Sequence, residues 1–196
     1  MFSPHPISFV QLSTFGIVTA LFVTGVLWIA IRNIDRPSGE RKRFRSTIGI
    51  ALQSLGCAAA AIGFTRPVLP WWAPYSLVST MLAALLGIAA IALFLSAALT
   101  MGKNWSLVAR TRTDHELVRT GPFAIVRHPI YLALMLYVLS IAASLGHWQQ
   151  LIFALPLYLA GSFIRIRDEE KLLRLQFGEE HARYVREVPA LIPLIL

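Results

Sequence analysis

Charge is missing from four long stretches of this chain: residues 1–31, 46–65, 67–102 and 128–164 contain no Asp, Glu, Lys or Arg. An aqueous domain of 196 residues cannot be built that way, since its surface would lack the ionisable groups that keep it in water. Hydrophobic residues make up 56% of the chain and charged ones 14%, which points to a membrane protein with little soluble mass. A helical span needs about 20 apolar residues to cross the hydrocarbon. Five candidates of that order occur: Ile7–Ile31, Thr47–Phe64, Ser76–Leu99, Ile130–Leu145 and Gln149–Ile164. The expected fold is therefore all-α and polytopic, with about five transmembrane helices. The last two are short and are joined by a turn around Gly146 and His147, which predicts a tight helical hairpin extended at its charged end. The N-terminal run lacks a basic leader and is too long for a signal peptide, so it reads as a mature span.

The charges that remain are ordered. Six Lys or Arg fall in 32–46, one in 65–75, five in 100–128 and six from 165 onward, with none in 1–31 or 146–148. Alternate connections thus carry 17 of the 18 basic residues, which predicts an N-terminus outside and a C-terminus in the cytosol. All ten acidic residues share that inner side. The formal charge of +8 borders apolar runs, so its expected partners are membrane lipids and not nucleic acid. The single Cys57 excludes a disulfide scaffold, a Cys-rich metal site and paired redox thiols, and no metal site is expected. Spans without ionisable groups at depth disfavour a transporter or channel.

Polar chemistry is then confined to two inner segments, 100–131 and 165–196, which the hairpin brings together. Residues near His128 and near Arg165 should be neighbours. In the first, Pro129 suits the opening position of a helix. In the second, apolar residues at 172, 173 and 175 suggest a cytosolic amphipathic helix that Gly178 ends or bends. Arg165 and Glu169 stand four apart with the cation first, the weaker order for a surface ion pair, and this favours a functional reading. Arg119 and Arg127 read as topogenic anchors, Glu179 and Glu180 as a solvated face, Tyr184 as packing, and His5, His147 and His181 as surface or interfacial groups.

Three blocks in these segments belong together: His115-Glu116-Leu117-Val118 with Thr120-Gly121-Pro122-Phe123; Arg127-His128-Pro129-Ile130-Tyr131; and Arg165 followed by Glu169-Glu170, Phe177-Gly178-Glu179-Glu180, Tyr184 and Val188-Pro189. In order and spacing they resemble the isoprenylcysteine carboxyl methyltransferase family, and more loosely the phospholipid N-methyltransferases. The resemblance runs from Gly102 to Pro193. It implies a membrane enzyme that uses S-adenosylmethionine without a Rossmann domain. By position it assigns cofactor binding to His115, Glu116, Leu117, Val118, Phe123, His128, Pro129, Ile130, Tyr131 and Glu169, and catalysis to Arg165 and Glu169, with Arg165 approaching the acceptor's carboxylate. Two positions depart from the family: Phe123 stands where Tyr is common, and Val108 where some members place a polar cofactor contact. The implied acceptor is a lipophilic small molecule or prenylated substrate, methylated at its carboxylate to an ester. Residues 1–99 would form a three-span membrane region and 100–196 the methyltransferase core. Rival readings are an amine-lipid N-methyltransferase and a haem-binding membrane protein with His115 and His128 as axial ligands. Oligomeric state is not legible in the sequence.

Overall fold

The computed structural model describes residues 5–32, 44–102 and 117–192. The described chain is mostly helical. Three of its helices are long and apolar enough to cross a membrane: α1 (Phe9–Arg32), α3 (Pro74–Met101), and the stretch Trp148–Phe177 that contains α5 (Leu151–Phe177). Two more, α2 (Phe44–Ala61) and α4 (Pro129–Leu145), are shorter, and α6 (Glu179–Glu187) follows α5. Strands β1 (His5–Ile7) and β2 (Thr65–Pro67) pair in parallel, with His5 opposite Thr65 and Ile7 opposite Pro67.

The start of α1 differs from expectation for a local reason. Ile7 belongs to β1, and Ser8 caps the helix: Gln11 N–H donates to Ser8 Oγ at 3.2 Å while Ser8 N–H donates to Gln11 Oε1 at 2.9 Å. This reciprocal Ser-x-x-Gln box satisfies two backbone donors at the buried start of the helix.

Helix α4 is the hub, meeting α1 and α3 on one hand and α2 and α5 on the other. In a bilayer the lipid tails are as apolar as leucine, so packing must come from close approach and not from expelling water. Small residues provide it. Helix α3 turns Ala83, Gly87, Ala90, Ala97 and Ala98 inward, and a Cβ on Gly87 would sit 2.6 Å from Val18. Between α2 and α5 the backbones themselves touch: a Cβ on Gly161 would lie 2.6 Å from the Gly49 carbonyl oxygen, and one on Gly56 would lie 2.8 Å from that of Ala154. Two polar groups inside the bundle make cross-helix bonds to backbone: Ser140 Oγ donates to Ala83 O at 2.7 Å and Tyr158 Oη to Tyr131 O at 2.5 Å.

The α4–α5 hairpin turns at Gly146, whose φ of 69° is left-handed and suits glycine. His147, expected to be a surface or interfacial group, is fully buried within the protein there, with Nδ1 3.1 Å from Ala60 O. Helix α5 does extend at its charged end. With no Gly or Pro between 162 and 177 it runs unbroken to Phe177, so residues 165–177 continue the hairpin and form no separate helix. Gly178 then stops it, with φ 50°.

The seam between α2 and α5 supplies a direct test. Gly161→Val should cost about 2 kcal/mol or more by overpacking against backbone, whereas Gly16→Ala, with nothing within 4 Å of the added carbon, should leave stability unchanged or raise it by up to about 1 kcal/mol. Thermal or denaturant unfolding in detergent micelles reads both; equal effects would contradict the seam.

Candidate functional site

The polar site forms where the hairpin opens. His128 precedes the first turn of α4, and Pro129 at the helix's first position loses no backbone hydrogen bond. Three residues apart, His128 and Tyr131 share one face of that turn, and their rings stack with centroids 5.7 Å apart. Opposite them the last membrane-proximal turns of α5 present Arg165, Glu169 and Glu170. An i,i+4 spacing puts Arg165 and Glu169 on one side of the helix, where Arg165 Nη2 lies 3.7 Å from Glu169 Oε1.

The contacts interlock. Arg165 Nε donates to Tyr131 Oη at 2.9 Å, and its guanidinium lies 5.2 Å above the Tyr131 ring centroid. Tyr131 in turn donates its hydroxyl hydrogen to Glu169 Oε1. His128 Nδ1 lies 3.6 Å from Glu169 Oε2, and His128 Nε2 donates to Glu170 Oε1 at 2.9 Å. From α2, Gln53 Oε1 accepts from Arg165 Nη1 at 3.5 Å, while Gln53 Nε2 donates to Ser162 Oγ at 3.0 Å. The Arg165 stem crosses Gly49, where any Cβ would fall 2.5 Å from its Cγ. Glu169 keeps 25% of its side chain exposed and Glu170 20%, against 11% for Arg165 and 5% for His128; Glu170 is held closely by Arg127, His128 and His181, whereas Glu169 Oε2 meets His128 only at 3.6 Å, which makes Glu169 the carboxylate more available to a ligand.

A strap built from the C-terminal segment holds the His128 side of the site. Arg127 N–H donates to Pro189 O and His128 N–H to Ala190 O, each at 2.9 Å. The Arg127 guanidinium donates to Glu170 at 2.8 Å and to the carbonyls of Val185 and Val188. Tyr184 of α6 donates to Phe123 O at 2.6 Å, and Arg119 pairs with Glu187 while stacking over Tyr184. Burial pushes the Tyr184 hydroxyl up to about 12, which keeps it a donor.

The structure thus brings His128, Tyr131, Arg165 and Glu169 together. Pro129 is buried behind them, and Ile130 packs into the core with Phe94 and Ala98. Phe123 is buried in a short 3₁₀ turn (Gly121–Ala124) set against α3 and bonded to α6, while Leu117 and Val118 are half-buried in the segment leading to it. His115, Glu116 and Val108 lie outside the described residues. Sequence reasoning missed four participants. Arg127, read as an anchor, and His181, read as a surface or interfacial group, both face Glu170; His181 is 3% exposed, with Nε2 3.1 Å from Glu170 Oε2. Glu170 itself and Gln53 complete the set. A lone amide in an apolar span was the signal for Gln53; His181 gave none, because its partner lies on another helix.

Burial works against a charged His128, yet the two carboxylates that face it outweigh that effect and raise its pKa above the ordinary 6.5. The stabilisation from its proton is therefore fully present below the ordinary imidazole range and is lost as pH rises through the elevated value. Wild-type melting temperature should fall across that window, and His128→Gln should flatten the fall. Parallel curves for the two proteins, measured by thermal unfolding in detergent, would remove His128 as its source.

The fold and site define an integral membrane protein with an ionisable cluster at one mouth of a helical hairpin. Residues 82–175, from α3 through most of α5, match the isoprenylcysteine carboxyl methyltransferase (ICMT) family. Over that segment the chain is similar to this family. It is 39% identical over 103 residues to the protein-S-isoprenylcysteine O-methyltransferase of Schizosaccharomyces pombe, covering 51% of this chain and 43% of that one. It is 34% identical over 98 residues to the cobalt-zinc-cadmium resistance protein CzcN of Cupriavidus metallidurans, covering 48% and 44%. The chain therefore spans less than half the length of these curated relatives. Its fold is that of the eukaryotic intramembrane Ras methyltransferase ICMT, with a TM-score of 0.63 at 21% identity over 95% of this chain and 68% of that structure.

Proposed function

We propose that this protein is a membrane methyltransferase that takes a methyl group from S-adenosylmethionine and places it on the carboxylate of a lipophilic acceptor. The observation that carries this reading is the joining of Arg165, Tyr131, His128 and Glu169 at the hairpin mouth, in a segment that matches the ICMT family. All five helices α1–α5 cross the bilayer, with the charged end of α5 and α6 on the cytosolic side. The N-terminus is outside, as the alternation of basic segments requires. Residues 100–196 form the catalytic core on the three-span region 1–99.

The donor set fits such a cofactor. A ligand with an ammonium, a carboxylate, a ribose diol and an adenine needs one reachable carboxylate, which Glu169 supplies. It also needs neutral or cationic hydrogen-bonding groups, which Tyr131 and His128 supply. When bound, S-adenosylmethionine contributes a methyl on a sulfonium, and its transfer is an in-line displacement that depends on positioning and exclusion of water. No general base is needed for a carboxylate acceptor, already ionised at neutral pH. Arg165 has the task of aligning that carboxylate: its guanidinium is fixed by Tyr131, Glu169 and Gln53, so little entropy is lost when it receives an anion. A cation here favours an anionic acceptor over a protonated amine. The acceptor is a prenylated cysteine or a similar carboxylate on an apolar chain, which reaches the site sideways from the bilayer. Both nitrogens of His128 face carboxylates, an arrangement that does not suit a haem axial ligand.

Titration of the purified protein in detergent with S-adenosylmethionine should give a calorimetric binding signal. Glu169→Ala should weaken that binding at least tenfold, about 1.4 kcal/mol. Arg165→Ala should leave it within a few-fold and instead lower turnover with a farnesylated cysteine by about a hundredfold or more. No heat at millimolar ligand would defeat the reading, and two unaffected variants would misplace the site.

A further inference from the structure

The chemistry above gives no task to Glu170, although it is the most heavily engaged carboxylate of the cluster. One of its oxygens accepts from both Arg127 Nε at 2.8 Å and His128 Nε2 at 2.9 Å, and the other lies 3.1 Å from His181 Nε2. It therefore joins three elements: the turn before α4, the α5 helix that carries it, and α6. We propose that Glu170 is a positioning residue that acts through His128, fixing the imidazole so that its other nitrogen stays turned toward Glu169. The proposal rests on the methyltransferase reading of the site.

The physical case is one of ring orientation. An imidazole can rotate about its bond to Cβ, and what sets its direction is the partner of each nitrogen. Here Glu170 takes Nε2, which leaves Nδ1 3.6 Å from Glu169 Oε2. The backbone cannot relax to another arrangement, because the N–H groups of Arg127 and His128 are tied to the carbonyls of Pro189 and Ala190. With a carboxylate facing each nitrogen, both nitrogens carry protons, and a buried imidazolium is held where a neutral ring would otherwise be favoured. The other titratable groups around it balance the count. Arg127 stands on its own segment and Tyr131 on α4; Arg165 lies beside Glu169 on α5, and His181 approaches Glu170 from α6. Removing the charge of Glu170 would lower the proton affinity of His128 and release the ring from Glu169, the carboxylate that faces the ligand.

The test compares full-length wild type, Glu170→Gln and Glu170→Asp in detergent, with two readouts. The first is the His128 titration by NMR of histidine-labelled protein, assigned with His128→Gln. The second is the pH profile of kcat/KM for methyl transfer to a farnesylated cysteine. In Glu170→Gln the His128 titration should move to lower pH by about one unit, a tenfold change in proton affinity. The alkaline limb of kcat/KM should move down with it, and Glu170→Asp should restore both in part. A purely structural role would lower the whole profile and leave the limb in place. An unmoved titration in folded Glu170→Gln overturns the proposal, as does a moved titration with a stationary limb. If the Gln variant does not fold, Glu170→Asp is read alone: a smaller shift of both supports the proposal and none overturns it. Wild type without methyl transfer brings down the functional reading, and this one with it. Active wild type with a stationary limb in the variants brings down this one only.

Discussion

Two adjacent carboxylates, Glu169 and Glu170, sit partly buried at the mouth of a membrane hairpin, and the surrounding structure answers the cost of keeping them there. Removing an ion from water costs several kcal/mol unless counter-charges and hydrogen bonds compensate. The compensation comes from the other arm of the hairpin and not from neighbours in sequence: Arg127, His128 and Tyr131 on the α4 side, with only Arg165 on α5 itself. The two arms must therefore meet in one register, and the left-handed turn at Gly146 and the Tyr158–Tyr131 bond hold that register from within the bundle.

The same requirement explains the glycines of the α2–α5 seam. Arg165 lies across Gly49, and Gln53 reaches Arg165 only because Gly161 lets the two backbones touch. Close packing in the spans is thus part of how the ionic cluster is aimed. On the opposite flank, α6 and the segment after it hold Arg127 and His128 through backbone carbonyls, and Tyr184 of α6 holds the turn at Phe123. What results is an ion cluster tied down by backbone bonds on the His128 side and held more loosely at Glu169, an asymmetry suited to receiving a small molecule.

Local chemistry made much of this legible. Charge-free runs located the first four helices to within about three residues and the start of the fifth, whose charged end continues 13 residues past the run; Pro129 marked the start of α4, Gly178 the end of α5, and the short fourth and fifth runs the hairpin. Errors arose where a partner lay far along the chain. Ile7 joined a strand because residues 65–67 happen to lie beside it; His147 and His181 were buried by elements that no pattern around them announces. Arg127 looked like any basic residue at a membrane boundary until Glu170 and the carbonyls of 185 and 188 surrounded it.

The amino-acid order alone determined that the chain enters a bilayer, which segments are polar, and that the residues around His128 meet those around Arg165. Those follow from hydropathy, chain length and the short reach of a hairpin, all of which are local. Tertiary structure decided which charges face one another, which carboxylate is left reachable, and that Gln53, Glu170 and His181 join the cluster. These depend on helix rotation and close approach across residues more than forty or a hundred positions apart in the cases of Glu170 with Arg127 and Gln53 with Arg165. Such contacts are fixed only when the whole bundle packs.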